Sequence, residues 1–230
     1  MSGAPRVSQV LPSAAGPAWS RWVGRFLGRV VWNARVVGAE HVPTEGPVIV
    51  AANHTGLLDG PLLLGVAPRG LHILVKESMW VGPVGWVLKA SGQIPVDREG
   101  GRRALATGLG VLRRGDAVGV FPEGTRGRGD FAGARAGIAW LALNGHAPVV
   151  PTAMLGTRRT GRSVNSLPRL RARLHVEFGA PITVVREAGV SGKDAIARAA
   201  ETIRDGLAAH VHAVSARTGI QLPGDDPLRD

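Results

Sequence analysis

The chain has 230 residues, no cysteine, and 28 lysine and arginine residues against 17 acidic ones, which gives a net charge of +11. One domain with a sizeable hydrophobic core is the simplest organisation for this length. The lack of cysteine excludes disulfides, thiolate zinc sites and a cysteine acyl intermediate. The positive charge favours an anionic partner, such as nucleic acid, an acidic membrane surface or a phosphorylated substrate.

Residues 1–34 are predicted to form an N-terminal tail and an amphipathic helix. Residues 1–16 lack the apolar segment of a secretory signal, and no apolar stretch approaches the length of a membrane span, so a cytoplasmic location is expected. Residues 18–33 place apolar side chains on one helix face and arginines on another. Such a helix can lie on an anionic membrane, which we favour over a helix packed on the domain with solvated arginines. The apolar positions are Trp19, Trp22, Val23, Phe26, Leu27 and Val30, and the arginines are Arg21, Arg25 and Arg29.

Residues 35–222 alternate between strand-like and helix-like segments. This pattern predicts a single α/β domain with a largely parallel or mixed central sheet flanked by helices. The alternating stretch 169–178 predicts a half-exposed strand that could lie at an edge of the sheet. A last helix is predicted from Ser191 to about Thr218, followed by a flexible tail over residues 223–230. The other predicted strands are 47–52, 71–75, 93–96, 116–121 and 148–155, and the other helices lie near 60–66, 77–89, 101–114 and 131–144.

A histidine and an aspartate follow the first buried strand, in residues 53–59 (Asn-His-Thr-Gly-Leu-Leu-Asp). The carboxyl ends of parallel strands are where α/β proteins bind ligands. A carboxylate bonded to one ring N–H fixes the histidine tautomer and leaves the other nitrogen free to accept a proton. His54 and Asp59 are therefore a candidate base and its orienting partner. His72 and Glu77 have the same spacing, but His72 lies inside a β-like run, where a packed or hydrogen-bonded histidine is expected.

Two further apolar runs end in charged residues. Arg98 follows one of them, and Glu123 and Arg126 follow the next, flanking a glycine, Gly124, that lets the backbone approach a ligand closely. A planar guanidinium suits bidentate binding of phosphate, and several cations together would bind a phosphate ester. The three successive strand ends therefore predict one site for a phosphorylated ligand.

These segments resemble, in order and approximate spacing, the four blocks of the glycerolipid acyltransferases typified by 1-acyl-sn-glycerol-3-phosphate acyltransferase. The segments are His54-x4-Asp59, residues 92–98, residues 121–126 (Phe-Pro-Glu-Gly-Thr-Arg) and residues 149–151 (Val-Val-Pro). The resemblance covers about residues 35–180. It implies an acyl thioester donor, a lysophosphatidate-like acceptor and a site at the cytosolic membrane face.

The resemblance also implies roles for particular residues. His54 would be the general base and Asp59 its partner. The family often carries serine at the positions of Gly56 and Gly127, a departure that bears on substrate preference or efficiency more than on reaction type. The implied substrate-binding residues are Lys76, which matches a family lysine near the phosphate, the acceptor-binding set Arg98, Glu123, Gly124, Thr125 and Arg126, and Pro151 in the fourth block near the acyl donor.

The resulting hypothesis is a peripheral O-acyltransferase at the cytoplasmic face of the cell membrane. It would transfer an acyl group from acyl-CoA or acyl-carrier protein to 1-acyl-sn-glycerol-3-phosphate, giving phosphatidic acid, with no metal or cofactor. The chain has no Gly-x-Ser-x-Gly motif, so a covalent acyl-serine enzyme is disfavoured.

Two alternatives remain open. One is an acyltransferase for another lysophospholipid or polar acceptor, and the other is a non-catalytic basic module that binds lipid or nucleic acid. Nucleic acid is the weaker interpretation, because the tryptophans are concentrated in two places rather than interleaved with basic residues. The arginines between Arg158 and Arg173 could face nucleic acid, acidic headgroups or the nucleotide part of a donor, or form a solvated surface.

Overall fold

The domain is built around a single seven-stranded sheet. The computed structural model describes residues 11–97, 101–124, 126–131 and 136–225. Within these ranges the strands are β1 (Asn33–Val37), β2 (Val48–Ala52), β3 (Leu71–Lys76), β4 (Ile94–Val96), β5 (Ala117–Val120), β6 (Val149–Leu155) and β7 (Arg173–Phe178). The α-helices are α1 (Gly16–Phe26), α2 (Asp59–Val66), α3 (Gly82–Ala90), α4 (Arg102–Arg113), α5 (Gly137–Gly145) and α6 (Gly192–Thr218). A π-helix (Leu27–Val31) continues α1, and short 3-10 helices span Ala39–His41 and Glu77–Met79.

The strand order is β1-β7-β6-β2-β5-β3-β4, and every neighbouring pair is parallel except β6 and β7. The central strand β2 is buried throughout. Its side chains alternate between two cores because successive residues of a strand point to opposite faces. Ile49 packs in the core that α4, α5 and α6 cover, whereas Val50 packs in the core that α2 covers. The predicted α/β domain with a mostly parallel, mixed sheet flanked by helices is confirmed.

The strand predicted over 169–178 differs in both length and position. The strand begins at Arg173, and it lies between β1 and β6 rather than at an edge. Leu174, His175 and Val176 are buried, so the strand is not half-exposed. The edge prediction was wrong because the five-residue strand β1, which pairs in parallel with β7, was not recognised.

The last helix has the predicted limits. Ser191 caps its first turn by accepting a hydrogen bond from Asp194 N, and Gly219, with a φ of 71°, ends it. Residues 223–225, the start of the predicted flexible tail, are held against the rest of the domain, since Gly224 N donates to Thr160 Oγ1 at 3.0 Å. Residues 226–230 lie outside the described residues.

Helix α1 packs on the domain through small residues. Its buried positions are Gly16, Pro17, Ser20 and Gly24. A Cβ on Gly24 would lie 2.6 Å from the backbone of Gly65 in α2, so the two helices touch through glycine. The large apolar residues remain exposed, with Trp22 at 70% and Phe26 at 58%. None of the described helices is both long and apolar enough to cross a membrane.

Candidate active site

The loop after β2 is fixed by Asn53, His54 and Asp59. Asn53 is buried and bridges to β6, donating to Met154 O at 3.0 Å and accepting from Met154 N at 2.7 Å. His54 Nδ1 lies 2.9 Å from Asp59 Oδ2. The side chain of Asp59 is fully buried, whereas that of His54 is 17% exposed. A buried carboxylate therefore holds a histidine ring that is still open to a ligand.

Asp59 gathers several donors on a single oxygen. Besides the His54 ring, Oδ2 accepts from Thr55 N at 2.7 Å and from Gly56 N at 2.8 Å. These bonds keep the carboxylate in one orientation at the start of α2. With the carboxylate as acceptor, Nδ1 carries the ring proton, and Nε2 is the nitrogen that can accept one. In the described part of the molecule, Asp59 Oδ1 is buried without a hydrogen-bond partner.

The loop after β5 holds the backbone of His54 from the other side. Glu123 Oε1 accepts from His54 N at 3.0 Å, and Gly127 N donates to His54 O at 2.9 Å. The ring of Phe121 stacks on the imidazole, with centroids 4.2 Å apart and an interplanar angle of 23°. His54 is thus held by its ring, its N–H and its carbonyl.

Glu123 is a perturbed carboxyl group. Burial raises its pKa to about 7, and the hydrogen bond from His54 N–H offsets part of that effect. The negative charges of Asp130 and Asp59 raise the pKa further. A carboxyl group that changes charge near neutrality therefore lies beside the candidate base.

The loop after β6 contacts both of the other loops. Thr157 and Thr55 share a hydrogen bond of 3.0 Å between their hydroxyls. Arg158 Nη2 donates to Gly127 O at 3.1 Å. Its guanidinium is buried and paired within the domain, so Arg158 takes none of the surface roles that the sequence left open for the arginines between Arg158 and Arg173. A Cβ on Gly56 would lie 3.3 Å from Thr157 O, so these loops pack closely at that point.

A groove of about 1210 Å³ opens beside His54. Among the described residues, the cations that line it are Lys76, at the end of β3, and Arg126, which donates to Asn165 Oδ1 at 2.5 Å, and the carboxylates are Glu77 and Asp97. Partial burial lowers the pKa of the Arg126 guanidinium, and the charge of Asp59 acts in the opposite direction. Much of the remaining wall is apolar, including Leu57, Leu64, Ile73, Val87, Leu105 and Leu141. The groove therefore presents both cationic and apolar surface to a ligand.

The structure brings most of the predicted site residues together. Lys76, Gly124 and Arg126 line the groove with His54, and Asp59 and Glu123 bond to His54. Gly124 has a φ of 68°, a conformation that favours glycine. Pro151 is buried in β6 and is not among the described residues that line the groove. Arg98 and Thr125 lie outside the described residues.

Several residues of the site were not predicted from the sequence. Asn53 precedes the His54 motif and Phe121 is the first residue of the Phe-Pro-Glu-Gly-Thr-Arg block, but the sequence did not predict the contacts that either residue makes. Thr157 and Arg158 follow β6, where the same strand-end rule could have identified them. Their hydrogen-bond partners lie up to 102 residues away in the chain, a relation that local patterns do not contain.

The arrangement can perform proton transfer. A histidine oriented by a buried carboxylate at an open groove can remove a proton from the hydroxyl of a bound molecule. Lys76 and Arg126 can bind an anionic group, and the apolar wall can bind a hydrocarbon chain. Among the described residues, no group of three or more histidine, aspartate or glutamate side chains converges as metal ligands.

Comparison with known proteins gives consistent matches. The chain is 34% identical over 125 residues to 1-acyl-sn-glycerol-3-phosphate acyltransferase of Bacillus subtilis (strain 168), covering 53% of this chain and 62% of that protein. It is 33% identical over 127 residues to the enzyme of that name from Borreliella burgdorferi, covering 53% and 51%. The chain thus spans about half the length of these curated relatives.

A solved structure and a family model also match the chain. The crystal structure of the 1-acyl-sn-glycerophosphate (LPA) acyltransferase PlsC from Thermotoga maritima matches 87% of this chain and 80% of that chain, with a TM-score of 0.66 and 22% identity. That similarity supports the α/β fold described above. Residues 33–155 match the family model described as Acyltransferase. Because this match covers more than half of the 230 residues, the chain belongs to the acyltransferase family.

Proposed function

We propose that this chain is an O-acyltransferase acting on 1-acyl-sn-glycerol-3-phosphate. The acyl group would come from acyl-CoA or acyl-carrier protein, and the product would be phosphatidic acid. The observation that carries this proposal is the His54–Asp59 pair, 2.9 Å apart, at the wall of a groove that also presents two cations and an apolar surface. The names of the relatives from B. subtilis and B. burgdorferi support this acceptor.

The proposed mechanism is direct transfer. His54 Nε2 takes the proton of the acceptor hydroxyl as its oxygen attacks the thioester carbonyl carbon, and the carbonyl oxygen becomes negative. Asp59 stabilises the imidazolium that forms. The C–S bond then breaks, the ester forms, and His54 returns the proton to the leaving thiolate. The attacking hydroxyl belongs to the substrate, so the protein needs no covalent intermediate and no cofactor.

Arg126 and Lys76 are the proposed ligands of the acceptor phosphate. Arg126 is partly buried at the groove, and its bond to Asn165 Oδ1 holds the guanidinium in place. We expect Arg126→Gln to raise KM for the phosphate-bearing acceptor about 10-fold or more while KM for the thioester stays within about twofold. Arg113→Gln is the control, since Arg113 is exposed at the end of α4 and is not a groove residue. An effect of Arg126→Gln confined to the thioester would contradict this assignment.

We also propose that the protein acts as a peripheral protein on an anionic membrane, at the cytoplasmic face. Exposed apolar residues of α1 and α3 lie on neighbouring surfaces, because Trp19 Nε1 donates to Ala90 O at the end of α3. Val23 and Val87 are both exposed and line the groove, so an acyl chain could pass from lipid to the site. Apolar contact and nearby arginines together suit an anionic bilayer surface.

The membrane proposal can be tested by co-sedimentation with vesicles that contain anionic lipid. The double variant Trp22→Ser/Trp86→Ser should lose most vesicle binding, because each tryptophan is 70% exposed. Val185→Ser is the control, since Val185 is 75% exposed but lies outside α1 and α3. The assignment would be contradicted if the double variant bound vesicles like the wild type, or if Val185→Ser lost as much vesicle binding as the double variant.

The proposed reaction is tested with labelled acyl-CoA and acyl-carrier protein and a panel of acceptors. The panel contains lysophosphatidate, lysophosphatidylcholine and glycerol 3-phosphate, and each assay is run with the wild type and with His54→Ala. We expect labelled phosphatidate from lysophosphatidate with the wild type alone. If product forms only from another acceptor, that acceptor is the substrate and the proposed acceptor is wrong. Wild type and variant that are equally inert, yet folded and bound to vesicles, would favour a non-catalytic lipid-binding module.

A further inference from the structure

A buried arginine ties the end of the described chain to the candidate active site. The guanidinium of Arg158 is fully buried, whereas the carboxylate of Asp225 is 22% exposed. Arg158 Nη1 donates to both carboxylate oxygens of Asp225 at 3.0 Å, and Nη2 donates to the backbone oxygen of Asp225 at 2.9 Å. Arg158 Nη1 also donates to Arg162 O at 3.1 Å. Arg158 thus binds both its own loop and a residue 67 positions further along the chain.

The same guanidinium reaches the loop that holds His54. Arg158 Nη2 donates to Gly127 O at 3.1 Å, and Gly127 N donates to His54 O at 2.9 Å. The bonds form a continuous path from Asp225 through Arg158 and Gly127 to the backbone of the candidate base. Thr157, the neighbour of Arg158, bonds to Thr55 on the other side of His54.

The charge of Asp225 is what makes this path stable. A buried guanidinium is costly unless a carboxylate pairs with it. Here both carboxylate oxygens accept from Nη1 while Nη2 bonds to backbone oxygens, so the guanidinium is neutralised and its orientation is fixed. Arg158 Nε is buried without a partner in the described part of the chain, so the other contacts compensate for it. Without Asp225, the guanidinium would retain only backbone carbonyls and would favour a position closer to water.

We infer that Arg158 is a positioning residue for His54, and that Asp225 is a latch that keeps Arg158 against the loop after β5. Only the kinetic consequence of this inference rests on the proposed acyl transfer. Loosening the latch moves Gly127, and the His54 ring then departs from the geometry needed for proton transfer. Because Arg158 and Asp225 are not groove residues, substrate binding is affected less than turnover.

The test compares Asp225→Asn with Asp116→Asn. Asp116 is a control carboxylate of similar exposure, at 29%, which pairs with the 31% exposed Arg114 and lies at the end of β5 remote from His54. We expect Asp225→Asn to lower kcat about 10-fold, with KM for both substrates within about twofold and an unchanged circular dichroism spectrum. Asp116→Asn should leave kcat within about twofold. Hydrogen exchange at the Gly127 amide should rise about 10-fold in Asp225→Asn alone.

Other results would overturn the inference. Wild-type kcat and Gly127 exchange in a folded Asp225→Asn protein would remove the positioning role. A kcat loss matched by Asp116→Asn, or equal changes in both KM values, would assign the pair to general stability. Arg158→Lys is the second variant. If neither Asp225→Asn nor Arg158→Lys folds, the pair has a structural role only, and the positioning role is rejected. If the wild type itself has no activity, the proposed reaction fails, and the Gly127 exchange still decides whether the latch exists.

Discussion

The two ends of the parallel sheet use similar residues for different purposes. At the amino end, Arg69 donates to the backbone oxygens of Pro43, Gly46 and Gly115 and ties together the loops that enter β2, β3 and β5. His72 is buried there, with Nδ1 2.6 Å from Gly92 O. At the carboxyl end, the loops also hold a histidine and an arginine, His54 and Arg126, but these two residues line a groove of about 1210 Å³.

The difference shows what turns a polar cluster into a site. His72 has both ring nitrogens engaged, because Nε2 lies 3.2 Å from Arg114 Nη2. His54 has Nδ1 engaged by Asp59, and the rest of its ring faces Phe121 and the groove. Burial lowers the pKa of His72, so it stays neutral and structural. Chemistry therefore depends on the open groove beside an oriented histidine and not on the histidine alone.

The largest predicted effect separates the two histidines. We expect His54→Gln to lower kcat at least about 1,000-fold and to change the free energy of unfolding by less than about 1 kcal/mol. His72→Gln should do the reverse, costing about 1–3 kcal/mol of stability because it leaves buried polar groups without partners, with kcat of the folded protein within about twofold. Steady-state kinetics and urea unfolding measure both. Equal kinetic losses in the two variants would remove the distinction between the ends.

An intermediate effect concerns Glu123, the partly buried carboxyl group at the carboxyl end of the sheet. The pKa of Glu123 is about 7 in the folded protein against 4.5 for an ordinary glutamate, so the folded state holds its proton more tightly. This contribution to stability is complete below pH 4.5 and is lost as the pH rises to about 7. The glutamine of Glu123→Gln does not ionise, so the variant does not lose stability in this way as the pH rises. Its amide oxygen can still accept the hydrogen bond from His54 N–H.

The measurement for Glu123 is urea unfolding across that pH range. We expect the stability of Glu123→Gln relative to wild type to increase with pH by roughly 2–3 kcal/mol between pH 4.5 and pH 7.5. The kcat of the variant should stay within about 10-fold, since the hydrogen bond to the His54 backbone is kept. A stability difference that does not change with pH would contradict the raised pKa.

The smallest predicted effect concerns packing between the loops of the carboxyl end. A Cβ on Gly56 would meet Thr157 O at 3.3 Å, so Gly56→Ala should push the loop after β6 away from the His54 loop. We expect kcat to fall about 2- to 5-fold. Gly108→Ala is the control, because a Cβ there would come no closer than an ordinary 3.5 Å, to the Leu141 side chain, and Gly108 is not a groove residue, so its kcat should not change. An equal fall in both variants would show that the spacing at Thr157 is unimportant.

Local patterns in the sequence predicted the centre of the fold well. Strands β2, β3, β5 and β6 lie where apolar runs predict them, because buried parallel strands are apolar on both faces. The contact between His54 and Asp59 also followed from local spacing, since α2 begins at Asp59 and brings it back to the histidine. Lys76 and Arg126 reached the groove because parallel strands end at one edge of the sheet.

The remaining features depend on distant pairs of residues. Strand β1 is only five residues long, and its pairing with β7 decides that β7 is interior rather than at an edge. In the sequence, Arg158 is simply one of the arginines between Arg158 and Arg173, but its burial depends on Asp225, 67 residues further along the chain. Pro151 carries a family motif, yet it is buried within β6 and is not among the described residues that line the groove.

Direct transfer to a substrate hydroxyl at His54 is tested most directly by the mass of the intact protein. The enzyme is mixed with acyl thioester, quenched rapidly with acid, and measured before and after lysophosphatidate is added. Without an enzyme nucleophile, the protein mass should stay unmodified in both samples, and phosphatidate should form only after the acceptor is added. A protein heavier by one acyl group that returns to its original mass on addition of lysophosphatidate would contradict direct transfer.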